Sequence, residues 1–249
     1  MSLQLIDASV VKGRARLLDT VNITAKAGEV TAICGPNGAG KSTALACFSG
    51  AITPNTGEAR FDGAPLSSLS AKDLAKRRAV LAQNAVLSFP FAAHEVVAMG
   101  RAPHEGLHPL VHETQVIADA MRAADVLHLA DRNYLTLSGG ERQRVQLARC
   151  LAQVWEANPE GRPRWLLLDE PTSALDLKHQ IALMRLAERF AEEGWGVIAV
   201  LHDLRLVRDH ADTVYLLRSG RVAAWGPVED VLSPDRVQEV FELDAPFAI

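Results

Sequence analysis

The sequence predicts an α/β protein built around a parallel β-sheet with helices on both faces. Three observations support this fold class: short apolar runs recur along the chain, segments with helical spacing separate them, and a glycine-rich turn follows the first run. Strands buried on both faces carry continuous apolar runs because neither side of such a sheet meets water. The runs in question are 28-GEVTAICG-35, 165-WLLLD-169 and 197-VIAVL-201.

The first 85 residues are dominated by β-like runs separated by turn signals. Segment 3-LQLIDASVV-11 is predicted to be a strand, and 57-GEARFDG-63 a strand that leaves a turn at Pro54 and Gly57. A further strand-like run, 79-AVLAQ-83, ends this part of the chain.

From about Phe89 to Trp155 the apolar spacing becomes helical. Apolar residues recur three and four positions apart in two sets, which are Val116, Ala120, Met121, Ala124 and Leu127, then Leu147, Ala148, Leu151, Val154 and Trp155. We therefore expect a single domain over residues 1–249. Residues 1–85 and 158–249 are predicted to form the catalytic core with its β subdomain, and residues 86–157 an inserted helical subdomain.

Beyond a polar, turn-rich loop the β pattern returns. A helix is predicted over about residues 177–193, ending at Gly194, and a hairpin over 214-VYLLRSGRVAAW-225. The Ser-Pro pair in 233-SPD-235 predicts the start of a last helix.

Composition narrows the function classes. A formal net charge of −4 argues against a nucleic-acid partner, which would normally need a basic face. The N-terminus lacks the features of a secretory signal and no apolar run is long enough to cross a bilayer, so we expect a cytoplasmic address. Cys34, Cys47 and Cys150 match neither a zinc nor a redox spacing and are predicted to be buried apolar residues.

A phosphate-binding loop is the strongest motif in the chain. Residues 35-GPNGAGKST-43 fit the pattern GxxxxGKS between a buried strand and a helix-compatible run. Glycines let several backbone N–H groups turn onto phosphate oxygens, and the following helix adds its positive N-terminal end. Lysine supplies a charge for the β- and γ-phosphates of ATP, and serine a hydroxyl for Mg²⁺. The predicted nucleotide-binding residues here are Gly35, Pro36, Asn37, Gly38, Ala39, Gly40, Lys41, Ser42 and Thr43.

Two carboxylates follow a second buried strand. Asp169 and Glu170 come directly after 165-WLLL-168, so they are expected at the carboxyl end of the sheet, where doubly wound folds bind ligands. We expect Asp169 to hold Mg²⁺ together with Ser42, and Glu170 to act as general base on the attacking water.

With these sites, the chain resembles the ATP-binding subunits of ATP-binding cassette (ABC) transporters over essentially its full length. The further residues that carry the resemblance are Gln83, the signature 137-LSGGE-141, the loop 173-SALD-176 and His202. The resemblance implies a P-loop NTPase (RecA-like) core with an N-terminal antiparallel β subdomain and an inserted α-helical subdomain.

The resemblance also implies roles for these residues. Gln83 is expected to sense the γ-phosphate and Mg²⁺, and His202 to contact the γ-phosphate and the attacking water. Asp176 is expected to communicate with a second copy of the chain. The residues Ser138, Gly139, Gly140 and Glu141 are expected to complete the ATP site of that second copy, so that two chains arranged head to tail enclose two ATP molecules.

One element of the family pattern is absent. The family usually stacks adenine on an aromatic residue about 29 positions before the loop lysine, whereas here the sequence is 10-VVKGRAR-16 with Lys12 at that place. Stacking on the alkyl stem of Lys12, on Arg14 or on Arg16 are the alternatives.

The resemblance is closest to bacterial importers whose permeases are separate polypeptides. It implies two transmembrane permease subunits, an indirect link to a periplasmic substrate-binding protein, and a peripheral position at the cytoplasmic face of the inner membrane. Segment 86-VLSFPFAAHEVVAMGRAPH-104 is apolar and suggests a docking groove, although Phe89, Phe91 and Met99 could instead be subdomain core. The segment and 200-VLHDL-204 are most similar to haem (hemin) importer ATPases, with ferric-siderophore or cobalamin importers as the alternative.

His104, His108 and His112 have a spacing of four, which on one helix would align them as haem or metal ligands. Because Pro103 and Pro109 interrupt such a helix, we expect solvated loop histidines instead.

Two other function classes fit the sequence less well than the importer. A soluble ABC ATPase acting on nucleic acid or ribosomes should show a long coiled-coil insertion, two tandem cassettes or a basic face, and the sequence has none of these. A nucleotide-regulated binding module without turnover would not need both Glu170 and His202.

Overall fold

The computed structural model describes residues 1–83, 87–156 and 161–245. The strands within them are β1 (Ser2–Lys12), β2 (Ala15–Lys26), β3 (Val30–Cys34), β4 (Thr56–Phe61), β5 (Ala64–Pro65), β6 (Arg78–Leu81), β7 (Trp165–Asp169), β8 (Gly196–Val200), β9 (Thr213–Arg218) and β10 (Arg221–Pro227). The α-helices are α1 (Lys41–Ser49), α2 (Ala71–Arg77), α3 (Ala93–Ala98), α4 (Leu110–Ala123), α5 (Gly139–Gln153), α6 (Leu177–Glu192), α7 (Leu204–His210), α8 (Val228–Val231) and α9 (Pro234–Phe241). Short 3₁₀ helices are Leu66–Ser68, Met99–His104, Leu127–Leu129 and Tyr134–Thr136.

The larger sheet has six strands in the order β10-β9-β3-β8-β7-β6, parallel except for the β9–β10 hairpin. Its central strands alternate between two apolar clusters. On β8, for example, Val197 and Ala199 face the cluster that includes α5 and α6, whereas Ile198 and Val200 face α1 and the N-terminal strands. The sheet is therefore buried on both faces, as its apolar runs predict.

The second sheet is antiparallel, in the order β2-β1-β4-β5. Its longest strand, β2, was not recognised in the sequence. Leu18, Val21 and Ile23 all point into the core, but the register with β1 shifts near Thr20, whose φ is +53°. The irregularity breaks the strict alternation by which a half-buried strand is recognised.

The helical segment comprises α3, the 3₁₀ helix Met99–His104, α4 and α5, with α3, α4 and the 3₁₀ helix packed on α5. Both apolar sets named from the sequence lie mostly in its core, with Leu127 as the exposed exception. The fold class is confirmed. The boundaries at residues 86 and 157 stay a prediction, and residues 84–86 and 157–160 lie outside the described part of the chain.

Other expectations from the sequence are met at the level of single elements. Helix α6 ends just before Gly194, and α9 begins after Ser233. Cys34, Cys47 and Cys150 are buried free thiols, as predicted. Among the described helices, none is long and apolar enough to cross a membrane.

Candidate functional site

The predicted phosphate loop connects β3 to α1 at the carboxyl end of the larger sheet. Gly35 and Gly40 are required there by space as well as by conformation. Their φ angles are +146° and +101°, and an added Cβ would lie 2.0 Å from the carbonyl oxygen of Leu217 and 2.6 Å from that of Leu17. Gly40 is also the N-cap of α1, so the loop leads directly into the positive end of that helix.

Lys41 is buried at the first position of α1. Its ammonium group donates hydrogen bonds to the carbonyl oxygens of Gly35, at 2.8 Å, and Pro36, at 3.0 Å. Burial lowers the pKa of Lys41, and the nearby carboxylate of Glu170 counteracts this effect. The Lys41 side chain therefore lies across the loop, and its ammonium group would contact a phosphate group bound by the loop N–H groups.

Ser42 and Asp169 meet across the site. The Ser42 hydroxyl donates to Asp169 Oδ1 at 3.0 Å, joining the start of α1 to the end of β7. Burial raises the pKa of Asp169, while the hydrogen bond from Ser42 opposes that shift. Two adjacent hard oxygen donors beside a phosphate loop are the type of ligand that Mg²⁺ prefers, so these residues fit the ion.

Glu170 lies at the centre of a second contact set. Gln83 Nε2 donates to Glu170 Oε2 at 2.5 Å, and His202 Nε2 lies 2.6 Å from Glu170 Oε1. The φ of Glu170 is +47°, a left-handed conformation that a residue with a side chain adopts only at some cost in energy. Such strain is common where a side chain must be aimed at a reacting group.

Ser138, Gly139, Gly140 and Glu141 form the start of α5. The Ser138 hydroxyl accepts a hydrogen bond from the Glu141 amide at 3.3 Å, and the Glu141 carboxylate accepts one from the Ser138 amide at 2.8 Å. These reciprocal bonds are a capping box. Neither bond uses the N–H groups of Gly139 and Gly140, which at the first two helical positions have no intrahelical acceptor and can bind an anion.

Asp176 occupies the equivalent position on α6. It is the N-cap and accepts hydrogen bonds from the amide and the ring nitrogen of His179. The loop before it packs on the start of α5, because an added Cβ at Gly140 would lie 3.3 Å from the Ala174 carbonyl oxygen.

The structure therefore separates the predicted site residues into two groups. Residues 35–43, Gln83, Asp169, Glu170 and His202 form one connected set. Residues 138–141 and Asp176 form the other, and within the described chain no hydrogen bond or ion pair links them to residues 35–43. Their roles in binding and catalysis stay predictions.

The segment where the family places its adenine-stacking aromatic is a tight turn between β1 and β2, with Gly13 at φ +63°. Arg16 is engaged there, donating to Asp19 at 2.8 Å. Lys12 and Arg14 are exposed and form no ion pair with the described residues. Of the three residues considered for stacking on adenine, Lys12 and Arg14 are thus the two without an ion pair among the described residues.

The predicted docking segment is divided between surface and core. Phe89 is 69% exposed and Met99 is 36% exposed, whereas Phe91 packs against the core. Leu107, Leu110 and Val111, at and just before the start of α4, are further exposed apolar residues that were not identified from the sequence.

The sequence did not predict the burial of Arg101 and His104. Arg101 is buried and joins α4 to the end of α5 through Glu113 and Glu156. The expectation of a solvated loop histidine is wrong for His104, which is buried against α5 with Nε2 bonded to the Gln153 carbonyl. The RAPH sequence contained both residues, but only the tertiary packing of α5 buries them.

Comparisons with known proteins agree with this geometry. The family model described as ABC transporter matches residues 18–173. The hemin import ATP-binding protein HmuV of Gloeobacter violaceus is 49% identical over 227 residues, covering 91% of this chain and 82% of that protein. The protein of the same name from Nocardia farcinica is 52% identical over 227 residues, covering 91% and 76%.

A solved structure supports the same assignment. It is a dimeric ATP-binding cassette in a post-hydrolysis state with ADP and Pi, 26% identical, with a TM-score of 0.78 over 91% of this chain and 98% of that one. The family match and the curated relatives show that this chain belongs to the ABC transporter family, as an ATP-binding subunit that hydrolyses ATP.

Proposed function

We propose that this chain is the ATPase subunit of a bacterial importer for haem (hemin), working as a homodimer on a separate permease. The assignment of haem as the cargo rests on the relatives that are 49% and 52% identical over 91% of the chain, which are named hemin import ATP-binding proteins. The geometry of the site supports the ATPase part of the proposal independently of the cargo.

In the proposed mechanism, the N–H groups of residues 35–43 and the start of α1 hold the phosphates of ATP. The Lys41 ammonium exchanges its bonds to Gly35 and Pro36 for the β- and γ-phosphate oxygens. Ser42 and Asp169, with the Gln83 amide nearby, are the residues that would hold Mg²⁺. Bound there, the ion would neutralise phosphate charge as it develops during hydrolysis.

Glu170 is assigned as the general base. Its carboxylate accepts the proton of the attacking water, while Gln83 and His202 hold the two carboxylate oxygens in a fixed orientation. His202 then contacts the γ-phosphate when ATP is bound. Gln83 follows β6 and His202 follows β8, and these strands lie on either side of β7. Both side chains can therefore reach Glu170 at the end of β7.

The second copy of the chain completes each ATP site. The N–H groups of Gly139 and Gly140 and the Ser138 hydroxyl suit a γ-phosphate held by another chain, because in the described part of this chain no hydrogen bond joins them to residues 35–43. ATP would then favour the closed dimer by bridging both chains, and loss of the γ-phosphate would release it. The related cassette with ADP and Pi is itself dimeric.

The exposed Phe89 of each chain in the homodimer is proposed to be part of the docking surface for one of two transmembrane permease subunits. This arrangement places the chain peripherally at the cytoplasmic face of the inner membrane, with the periplasmic substrate-binding protein linked to it only through the permease. Nucleic acid is not a partner in this proposal, consistent with the net charge of −4.

The dimer and the base are tested by Glu170→Gln, with Glu192→Gln on the exposed end of α6 as the matched control. The first variant should bind ATP, lose turnover and form a dimer that light scattering detects only with ATP. The control should hydrolyse ATP like the unchanged protein. A Glu170→Gln chain that stays monomeric with ATP would contradict the proposal.

The cargo is tested with the chain bound to its permease in vesicles that contain the substrate-binding protein. Haem, a ferric siderophore and cobalamin are supplied in parallel, and phosphate release is measured. We expect haem alone to accelerate hydrolysis. Acceleration by a siderophore or cobalamin instead would retain the ATPase assignment and refute haem as the cargo.

A further inference from the structure

Three histidines form a row on the surface of the helical segment, although the prolines prevent them from sharing one helix. His104 ends the 3₁₀ helix Met99–His104, His108 lies in the connecting turn, and His112 is in the first turn of α4. The ring centroids of His104 and His108 are 6.1 Å apart, and those of His108 and His112 are 4.6 Å apart. The turn thus restores the alignment that the four-residue spacing suggests.

A carboxylate approaches the row from the end of α5. Oε1 of Glu156 lies 3.0 Å from His112 Nε2 and 4.0 Å from His108 Nε2. One ligand atom each of His104, His108 and Glu156 lie within 4.8 Å of one another. Around tetrahedral zinc, whose bonds to nitrogen and oxygen are about 2.0–2.2 Å, ligand atoms are separated by about 3.4 Å. Closing His104, His108 and Glu156 to that spacing needs a shift of about 1 Å, which falls mainly to the exposed His108 because His104 is buried.

A backbone contact fixes the tautomer of His104. Its Nε2 is 2.9 Å from the carbonyl oxygen of Gln153, and since a carbonyl can only accept, Nε2 must carry the proton. Nδ1 then keeps its lone pair. Metal-binding histidines commonly donate their other ring N–H to a carbonyl in this way, which fixes the tautomer and the ring.

The charges around the row are compatible with a cation despite a buried arginine. Arg101 donates to both oxygens of Glu156, at 2.7 Å and 2.6 Å, and to Glu113 at 2.6 Å and 3.0 Å. One positive and two negative formal charges leave this network at −1 before any metal is counted. The arginine therefore orients the carboxylate without making the site positive.

We propose that His104, His108, His112 and Glu156 form a binding site for one divalent transition-metal ion, with zinc as the best fit. Three imidazole nitrogens and one carboxylate oxygen favour Zn²⁺, Co²⁺, Ni²⁺ or Cu²⁺ over Mg²⁺ and Ca²⁺, which prefer sets of oxygen ligands. The ion ties the 3₁₀ helix, the following turn, α4 and the end of α5 together. It thereby stiffens the surface that carries Leu107, Leu110 and Val111.

The test uses the full chain, stripped of metal, in buffer with millimolar Mg²⁺ so that oxygen-rich sites are saturated. Co²⁺ is titrated and followed by its visible absorption, which is intense only in tetrahedral or five-coordinate sites, and Zn²⁺ binding is measured by calorimetry. The variant His108→Ala with His112→Ala removes two exposed ligands and leaves Arg101 and His104 in place. His128→Ala, an exposed histidine outside the row, is the matched control.

We expect one Co²⁺ per chain with intense absorption, displaced by Zn²⁺, and at least about a 100-fold loss of affinity in the double variant. The control should bind like the unchanged protein. Weak octahedral binding that the double variant does not alter would overturn the proposal, as would a His128→Ala loss of the same size. Circular dichroism of the double variant distinguishes loss of ligands from loss of fold.

Discussion

Arg101→Met removes the cation from the most heavily bonded buried ion network in the described chain. Its guanidinium makes hydrogen bonds to Glu113, Glu156 and the carbonyl oxygen of Ala152, and its side chain is only 6% exposed. The two carboxylates, at 19% and 22% exposure, would lose their counter-charge but keep some access to water. Breaking a buried ion pair costs about 3–5 kcal/mol, so we take the lower end, about 3 kcal/mol.

For a chain of this size, that loss corresponds to a decrease of about 6–12 °C in the melting temperature. Thermal unfolding is followed by circular dichroism without nucleotide or metal. Arg122→Met, on the last turn of α4, is the matched control because Arg122 is exposed and, among the described residues, its ion pair is with Asp119 one turn earlier on the same helix. A decrease for Arg101→Met no larger than that of the control would refute the role assigned to the network. Adding Glu156→Gln to Arg101→Met should recover part of the loss, since one unpaired charge is then removed.

Three further predictions concern the site and its support. Ser138→Arg should abolish ATP hydrolysis while nucleotide affinity of the isolated chain stays within about twofold, and loss of the capping box should cost about 1 kcal/mol in a denaturant titration. Lys41→Ala should weaken ATP binding by at least about tenfold in calorimetry, because the buried ammonium is lost. Gly100→Ala should lower the free energy of unfolding by about 1–3 kcal/mol, because an added Cβ would lie 2.2 Å from the Arg149 carbonyl oxygen. Gly106→Ala, with open space but a φ of +74°, is its control and should cost about 1 kcal/mol through backbone strain alone.

Features whose residues are close together in the sequence could be predicted, and features that join distant residues could not. The phosphate loop and the carboxylates of Asp169 and Glu170 were found because each motif is contiguous and follows an apolar strand. Helix α5 begins at Gly139, and the three-residue spacing of Ser138 and Glu141 is a local pattern typical of the capping box found there.

The residues missed depend on long-range packing. His112 and Glu156 are 44 positions apart, and the packing of α4 on α5 brings them to 3.0 Å. Strand β2 was missed for a different reason, because its bulge near Thr20 disturbs the alternation that a period-two search requires. Neither feature has a local signature strong enough to separate it from an ordinary polar segment.

The polar groups of the ATP site also suggest why its residues must act together. Lys41 is bonded to its own loop, Ser42 to Asp169, and Gln83 and His202 both to Glu170. ATP binding therefore exchanges protein–protein bonds for protein–phosphate bonds, so the net gain per bond is modest and the phosphate charge must supply the rest. Because Gln83 and His202 each hold one oxygen of Glu170, they set the direction in which the base faces the attacking water. Removing either partner should then misdirect the base as well as weaken phosphate contact, and the two losses should not be additive.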